Sequence, residues 1–299
     1  MDPRMIRIEE KRRHGVAAVP GIGSAGSEPD IQRVRRAFAD RYTVVKSLRS
    51  DSEIERYLAR DLRGGTVQLN VLPAKDTNNI LAREFFYRSA HAASKLSHVN
   101  IIDTGAAQEE RGVDFFLVEH KPDATPLGEL LDRNGWLDLK LAANVADQIA
   151  SALDYAHQTG VLHLSIQPEC ILIEPDGWVT VAEFGIEEKH MSLRPRGPAP
   201  QYSSPEQLTD GPVDRRSDLY SLGAVLYEML TDRTPYDSTD AEYVRRKQAS
   251  FTPSPPHLIS MDVSESVSNV VMKLLERGPA RRFDTASAFQ TALDDVVNY

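Results

Sequence analysis

The chain of 299 residues has one cysteine, Cys170, so neither an internal disulfide nor a cysteine-rich metal site can form, in keeping with a reducing compartment. Long apolar runs are missing as well. The longest, residues 219 to 230, is broken by Tyr, Ser, Gly and Glu and falls short of the roughly 20 residues a membrane span needs. It reads as a buried core helix, and no membrane span is expected. Residues 1 to 14 alternate Arg and Lys with Glu, and no apolar stretch of signal-peptide length follows them. The expectation is a cytoplasmic protein, or a fragment of a longer one. Basic charge is in deficit, 35 Lys and Arg against 44 Asp and Glu, for a formal charge of −9. That balance argues against a phosphate backbone or an anionic membrane as the main partner, so no nucleic acid is expected.

What is present is 41% hydrophobic and 26% charged, enough for two lobes around real cores. Residues 1 to 41 are rich in Gly, Pro, Ser and charge, read as a flexible arm with a linker at 20 to 27 and basic Arg33, Arg35, Arg36 and Arg41 after it. From Tyr42 the pattern turns to short alternating runs at 42–45, 55–60 and 66–72, the last following a Gly64-Gly65 turn signal. These predict an antiparallel meander. Residues 82–96 carry helical spacing, and 115–119 read as a buried strand. Beyond Pro126 the chain is mainly helical, with a long amphipathic stretch at 137–157 and closing helices at 270–275 and 286–297.

The local strings are more specific than this order of elements. His163-Leu164-Ser165-Ile166-Gln167-Pro168-Glu169-Cys170 is followed by an Ile171-Leu172-Ile173 strand, then by Glu183-Phe184-Gly185, then by Tyr202-Ser203-Ser204-Pro205-Glu206-Gln207. Ser217-Asp218-Leu219-Tyr220-Ser221-Leu222-Gly223 and Arg282-Phe283 complete the series. Over residues 42 to 299 these motifs, in this order, resemble the bacterial Ser/Thr protein kinase family. The resemblance implies an α+β, bilobal fold: a small antiparallel β lobe with one helix at 42–119 and a larger, mainly helical lobe at 120–299. It also implies structural roles. Glu206 would pair with Arg282, His163 and Phe184 would stack in the spine joining the lobes, and Asp218 would anchor that spine from below.

The same alignment removes the chemistry. Phosphoryl transfer from ATP needs positioning and neutralisation of charge. The strand lysine falls on Asn70 and its partner glutamate on Ser89, where an Asn facing a Ser would replace an ion pair by a neutral hydrogen bond. The catalytic-loop base falls on Ser165, a hydroxyl that is not basic at neutral pH. The loop lysine becomes Gln167, and the metal asparagine becomes Cys170, a poor ligand for Mg²⁺. Glu183 alone is left as a metal carboxylate. The glycine-rich loop, 48–57, contains no glycine, the family glycines falling on Arg49, Asp51 and Ile54. Around the adenine position, Arg56 and Gln68 replace small apolar side chains, while Leu172 is kept and Glu119 lines the vestigial cleft.

The expectation is therefore a pseudokinase: a protein kinase-like domain that binds another signalling protein, such as a kinase, phosphatase or regulator, through residues 231–257, the vacated cleft or the basic arm. No cofactor is expected; ATP and Mg²⁺ are the ligands the cleft would take if it kept any. The alternative is a divergent Ser/Thr kinase, with Lys46, Arg49 or Arg56 and Glu183 supplying the missing groups, or a nucleotide-binding regulatory domain. The activation segment, 183–206, has no threonine. The oligomeric state and the partner stay open.

Overall fold

A computed structural model describes residues 28–48, 54–187 and 199–297. The chain divides into two compact units, one made of residues up to Arg83 together with Gln108–His120, the other of Glu84–Ala107 and Lys121–Tyr299.

The first unit is built on an antiparallel sheet of β1 (Tyr42–Ser47), β2 (Glu55–Asp61), β3 (Thr66–Val71), β4 (Gln108–Glu110) and β5 (Val113–Glu119), in the spatial order β1-β2-β3-β5-β4. The β2–β3 register pairs Tyr57 with Leu69, and the β3–β5 register pairs Asn70 with Phe116. Because side chains alternate along a strand, Tyr57, Ala59, Leu69, Val71, Val113 and Phe115 fall on one face and are all buried. Glycine is needed at the β2–β3 turn, where Gly64 has φ +87°.

That apolar face is covered by α1 (Glu28–Phe38), where the sequence predicts a flexible arm. The helix carries Ile31, Val34 and Phe38 at i, i+3 and i+7, and Val34, Ala37 and Phe38 are buried against the sheet. Phe38 meets Phe115 edge-on, ring centroids 4.6 Å apart. Below it, Arg33 Nη2 donates to Leu72 O at 3.1 Å and lies 3.7 Å from the Glu55 carboxylate, which also accepts from Tyr57 Oη at 2.9 Å. The 20–27 linker lies outside the described residues.

Helix α2 (Ile80–Ala93) straddles the division. The anticipated boundary at 119/120 misses this, because residues 97–102 are strapped to the larger unit. Asn100 Nδ2 donates to Val179 O at 2.8 Å, Ile102 N to Val181 O at 3.0 Å, and Ser97 N to Tyr155 Oη at 3.3 Å. In the first unit Arg83 makes a bidentate pair with the buried Asp114 carboxylate (2.8 and 2.9 Å) and also reaches Glu109.

The larger unit holds α3 (Leu127–Asn134), α4 (Leu139–Gln158), a sheet ordered β6 (Thr125–Pro126), β8 (Ile171–Ile173), β9 (Val179–Val181), and a short pair of β7 (Val161–Leu162) with β10 (Ile186–Glu187). It continues with α5 (Pro205–Leu208), α6 (Arg215–Thr231), α7 (Ala241–Ser250), α8 (Glu265–Leu274) and α9 (Ala286–Val297). Helix α4 starts where Asp138 caps Leu141 N at 3.0 Å, and α6 where Asp214 caps Arg216 N at 2.8 Å. Helix α6 is buried on every side, packed by α4 and α8, as its mixed apolar run requires. Its approach to α8 is close: a Cβ on Gly223 would stand 2.6 Å from Leu274 Cβ. Among the described residues no helix is long and apolar enough to cross a membrane.

Candidate functional site

In the larger unit the loop at 163–170 is shaped from below by Asp218, on the first turn of α6. The fully buried Asp218 carboxylate accepts from His163 N (3.0 Å) and Leu164 N (2.6 Å), and pairs with His157 Nε2 at 2.8 Å. Burial opposes its charge, but these bonds and the two histidines outweigh it and hold the carboxyl below its usual range. Leu164 is thereby kept at φ +57°, a left-handed conformation that leucine seldom adopts. His163 Nδ1 accepts from Ser165 N (3.2 Å), so Nε2 carries the hydrogen and donates to Ala182 O at 2.8 Å. Burial keeps this imidazole neutral by lowering its pKa. Its ring meets Phe184 edge-on at 4.6 Å. Glu183 is exposed, at φ +69°.

The substituted loop positions do structural work. Gln167 Oε1 accepts from Ala199 N at 3.1 Å, tying the loop to the end of the activation segment. The buried Cys170 thiol donates to Gln167 O (3.1 Å) and accepts from Gln167 N (3.5 Å), capping the loop as the asparagine-for-thiol exchange permits. Burial, with Glu183 adding to it, pushes the thiol pKa far up, so no thiolate is available as a ligand. Ser165 is half-buried. Ser89, on α2, has its Oγ buried without a hydrogen-bond partner, and its backbone lies so close to Gly185 that a Cβ there would stand 2.7 Å from Ser89 O.

In the smaller unit Asn70 is buried, and its Oδ1 accepts from Gln68 Nε2 at 2.7 Å. Strand alternation explains this bond, since residues 68 and 70 share one face of β3 and reach each other along the strand. Arg56, opposite Asn70 on β2, is half-buried, and Glu119 ends β5 opposite Val67. Leu172 is half-buried in β8 of the larger unit. Arg49 and Asp51 lie outside the described residues, as does segment 188–198.

The end of the activation segment is fastened throughout. Arg282 grips Glu206 with two bonds (2.7 and 2.8 Å), donates to three backbone carbonyls, and stacks over Tyr220. Burial works against the Glu206 charge, yet Arg282 and Ser217 hold its pKa below the ordinary value. Gln207 Nε2 donates to Leu164 O at 2.9 Å, and Gln248 Nε2 on α7 to Ser203 O at 2.8 Å. Gln207 and Ser217 stand inside motifs of the sequence, whereas His157 and Gln248 carry no signal that reading along the chain can find, being brought in by packing. Tyr202 Oη donates to Glu228 at 2.8 Å. Burial, reinforced by Glu169, Asp232 and Asp132, raises the Glu228 carboxyl to about 7, against the pull of Tyr202.

Among the described residues no cluster of three His, Cys, Asp or Glu side chains could hold a metal, and the thiol at 170 is engaged and protonated.

A family model described as a protein kinase domain matches residues 69–293. The chain belongs to the protein kinase domain family. It is 32% identical over 273 residues to the serine/threonine-protein kinase PknB of Mycobacterium tuberculosis, covering 87% of this chain and 44% of that protein. PrkC of Bacillus subtilis, also named a serine/threonine-protein kinase, is 30% identical over 261 residues (85% of this chain, 40% of PrkC). A probable serine/threonine-protein kinase of Clostridium acetobutylicum is 29% identical over 270 residues. The chain thus spans about two-fifths of the length of these relatives. The solved kinase domain of M. tuberculosis PknI superposes with TM-score 0.68 at 24% identity, covering 86% of this chain and 96% of that one. At that identity the likeness speaks for the protein kinase fold: an antiparallel β unit and a helical one.

Proposed function

We propose that this domain keeps the protein kinase fold without transferring phosphoryl groups, and acts by binding another signalling protein. The observation that carries this reading is the employment of the loop positions: Gln167 is bonded to Ala199 N and Cys170 caps its own loop, while Ser165 offers no base. Each lost group of this kind costs on the order of 10²- to 10⁴-fold in rate. Among the described residues no three His, Cys, Asp or Glu side chains gather as a metal-holding group, which supports this reading. ATP and Mg²⁺ are accordingly not expected as cofactors.

The relatives favour a second reading, a divergent Ser/Thr kinase with weak transfer. PknB and PrkC are both named as kinases, and on names alone this alternative stands ahead of the first. Its carboxylate at the metal position would be Glu183, with Lys46, Arg49 or Arg56 as cations.

One experiment separates them. The chain is incubated with radiolabelled ATP, Mg²⁺ and a generic Ser/Thr peptide, beside Glu183→Gln. The first reading expects no transfer above that variant; transfer that Glu183→Gln abolishes overturns it. A thermal melt with millimolar ATP and Mg²⁺ accompanies this, since a ligand at about 100 times its Kd adds ~2.7 kcal/mol, or roughly 4 °C here.

A further inference from the structure

In protein kinases two elements are moved to control activity: the small-lobe helix, and the activation segment that phosphorylation orders through new charged pairs. In this chain the second half of α2 and the end of the activation segment, from Ala199 onward, are fastened within the larger unit by contacts that need no phosphate. Helix α2 lies backbone to backbone on the Glu183-Phe184-Gly185 loop. Only a residue without Cβ leaves that room, because an added Cβ would stand 2.7 Å from Ser89 O and 3.1 Å from its Cα. The segment from Ala199 onward is fastened at successive points: Ala199 N to Gln167, Ser203 O to Gln248, Gln207 to Leu164 O, and Glu206 to Arg282.

The hydroxyls of this stretch are spent. Tyr202, Ser203 and Ser204 are 6%, 1% and 0% exposed. Tyr202 donates to Glu228, Ser203 Oγ to Ala199 O at 3.4 Å, and Ser204 Oγ to Gln207 Oε1 at 3.0 Å. A phosphate there would bring about two negative charges into a site where Glu228 already faces Glu169, Asp132 and Asp232.

We propose that residues 199–208 and the second half of α2 are permanently seated, with Gln167 as the positioning residue of the segment and Gly185 as the seat of the helix, so that neither is a phosphorylation switch. The substitution that removes the loop cation supplies an uncharged acceptor that holds the segment. This holds whether or not the domain transfers phosphoryl groups.

Hydrogen exchange on the intact chain tests it peptide by peptide. Gln167→Met keeps the volume and loses the acceptor. It should speed exchange at 199–203 by about 2- to 10-fold, the range one net hydrogen bond supports. Gln167→Glu keeps an acceptor and should restore the native rate, which a merely space-filling role would not demand. Gly185→Ala should speed exchange across 84–93. Native rates at 199–203 in Gln167→Met, or at 84–93 in Gly185→Ala, would overturn the respective half of the proposal. Incubation of the folded chain with an active dual-specificity kinase and ATP should leave Tyr202, Ser203 and Ser204 unmodified by mass spectrometry. Phosphate on any of the three overturns the claim that this stretch is no switch.

Discussion

Replacing Arg282 by leucine would leave the Glu206 carboxylate buried without its cation, and the cost can be worked from the geometry. Arg282 is completely buried at its side chain and Glu206 is 8% exposed, so neither charge finds water when the other is removed. The guanidinium makes two bonds to the carboxylate and three to the carbonyls of Arg216, Glu276 and Arg277. Breaking a buried pair from one side typically costs about 3–5 kcal/mol. For a chain of this size that lowers the melting midpoint by about 5–8 °C. Glu206→Ala should cost a similar amount and also orphan Ser217 Oγ, which donates to Glu206 at 2.6 Å. The double variant should lose less than the sum, because neither charge is then stranded. The pH dependence has a definite sign. The Glu206 carboxyl is depressed in the folded state, so its contribution is present above the ordinary carboxylate value of 4.5 and is lost as pH falls through the folded value. Melts of the native chain and the three variants, followed by circular dichroism from pH 8 to pH 4, measure this. Single variants that melt within about 1 °C of the native chain, against the cost expected of a broken buried pair, would refute the assignment of this pair as a fastening of the larger unit.

Other perturbations test other parts. Glu228, raised to about 7 by burial and its acidic neighbours, withdraws stability as pH climbs from 4.5 through 7; urea melts should show Glu228→Gln losing this slope, worth at most about 3 kcal/mol at pH 8. Phe38→Ala empties the contact between α1 and Phe115 and should cost about 3–5 kcal/mol, read as earlier melting. A flexible arm would show no effect. Gly223→Ala forces α6 off α8 and should cost about 1–3 kcal/mol by the same assay.

The sheet was legible because its strands alternate and its turns carry Gly64-Gly65, and the larger unit because its motifs come in a fixed order. Those motifs alone point to Glu206 with Arg282 and His163 with Phe184, the contacts the larger unit contains. Helix α1 was obscured by composition: the Gly- and Pro-rich stretch before it suggests a linker, although Ile31, Val34 and Phe38 already spell a helical stripe. What the stripe cannot show is the apolar sheet face that gives it a place to bury. The bond from Gln167 to Ala199 spans 32 residues, and the contact of Gly185 with Ser89 depends on a helix distant in sequence. Reading in one dimension sees a glutamine where the family resemblance implies a lysine; it does not see the bond that the glutamine makes.

Asp218 dictates the path of the chain at His163 and Leu164 through their amides alone. Backbone amides are the same for every residue but proline, so the turn at His163 and Leu164 is held the same way whichever side chains stand further along the loop. The side chains at 167 and 170 then add fastenings of their own, to Ala199 N and within the loop. A domain constructed this way can discard an activity, or be given one, without relearning how to fold.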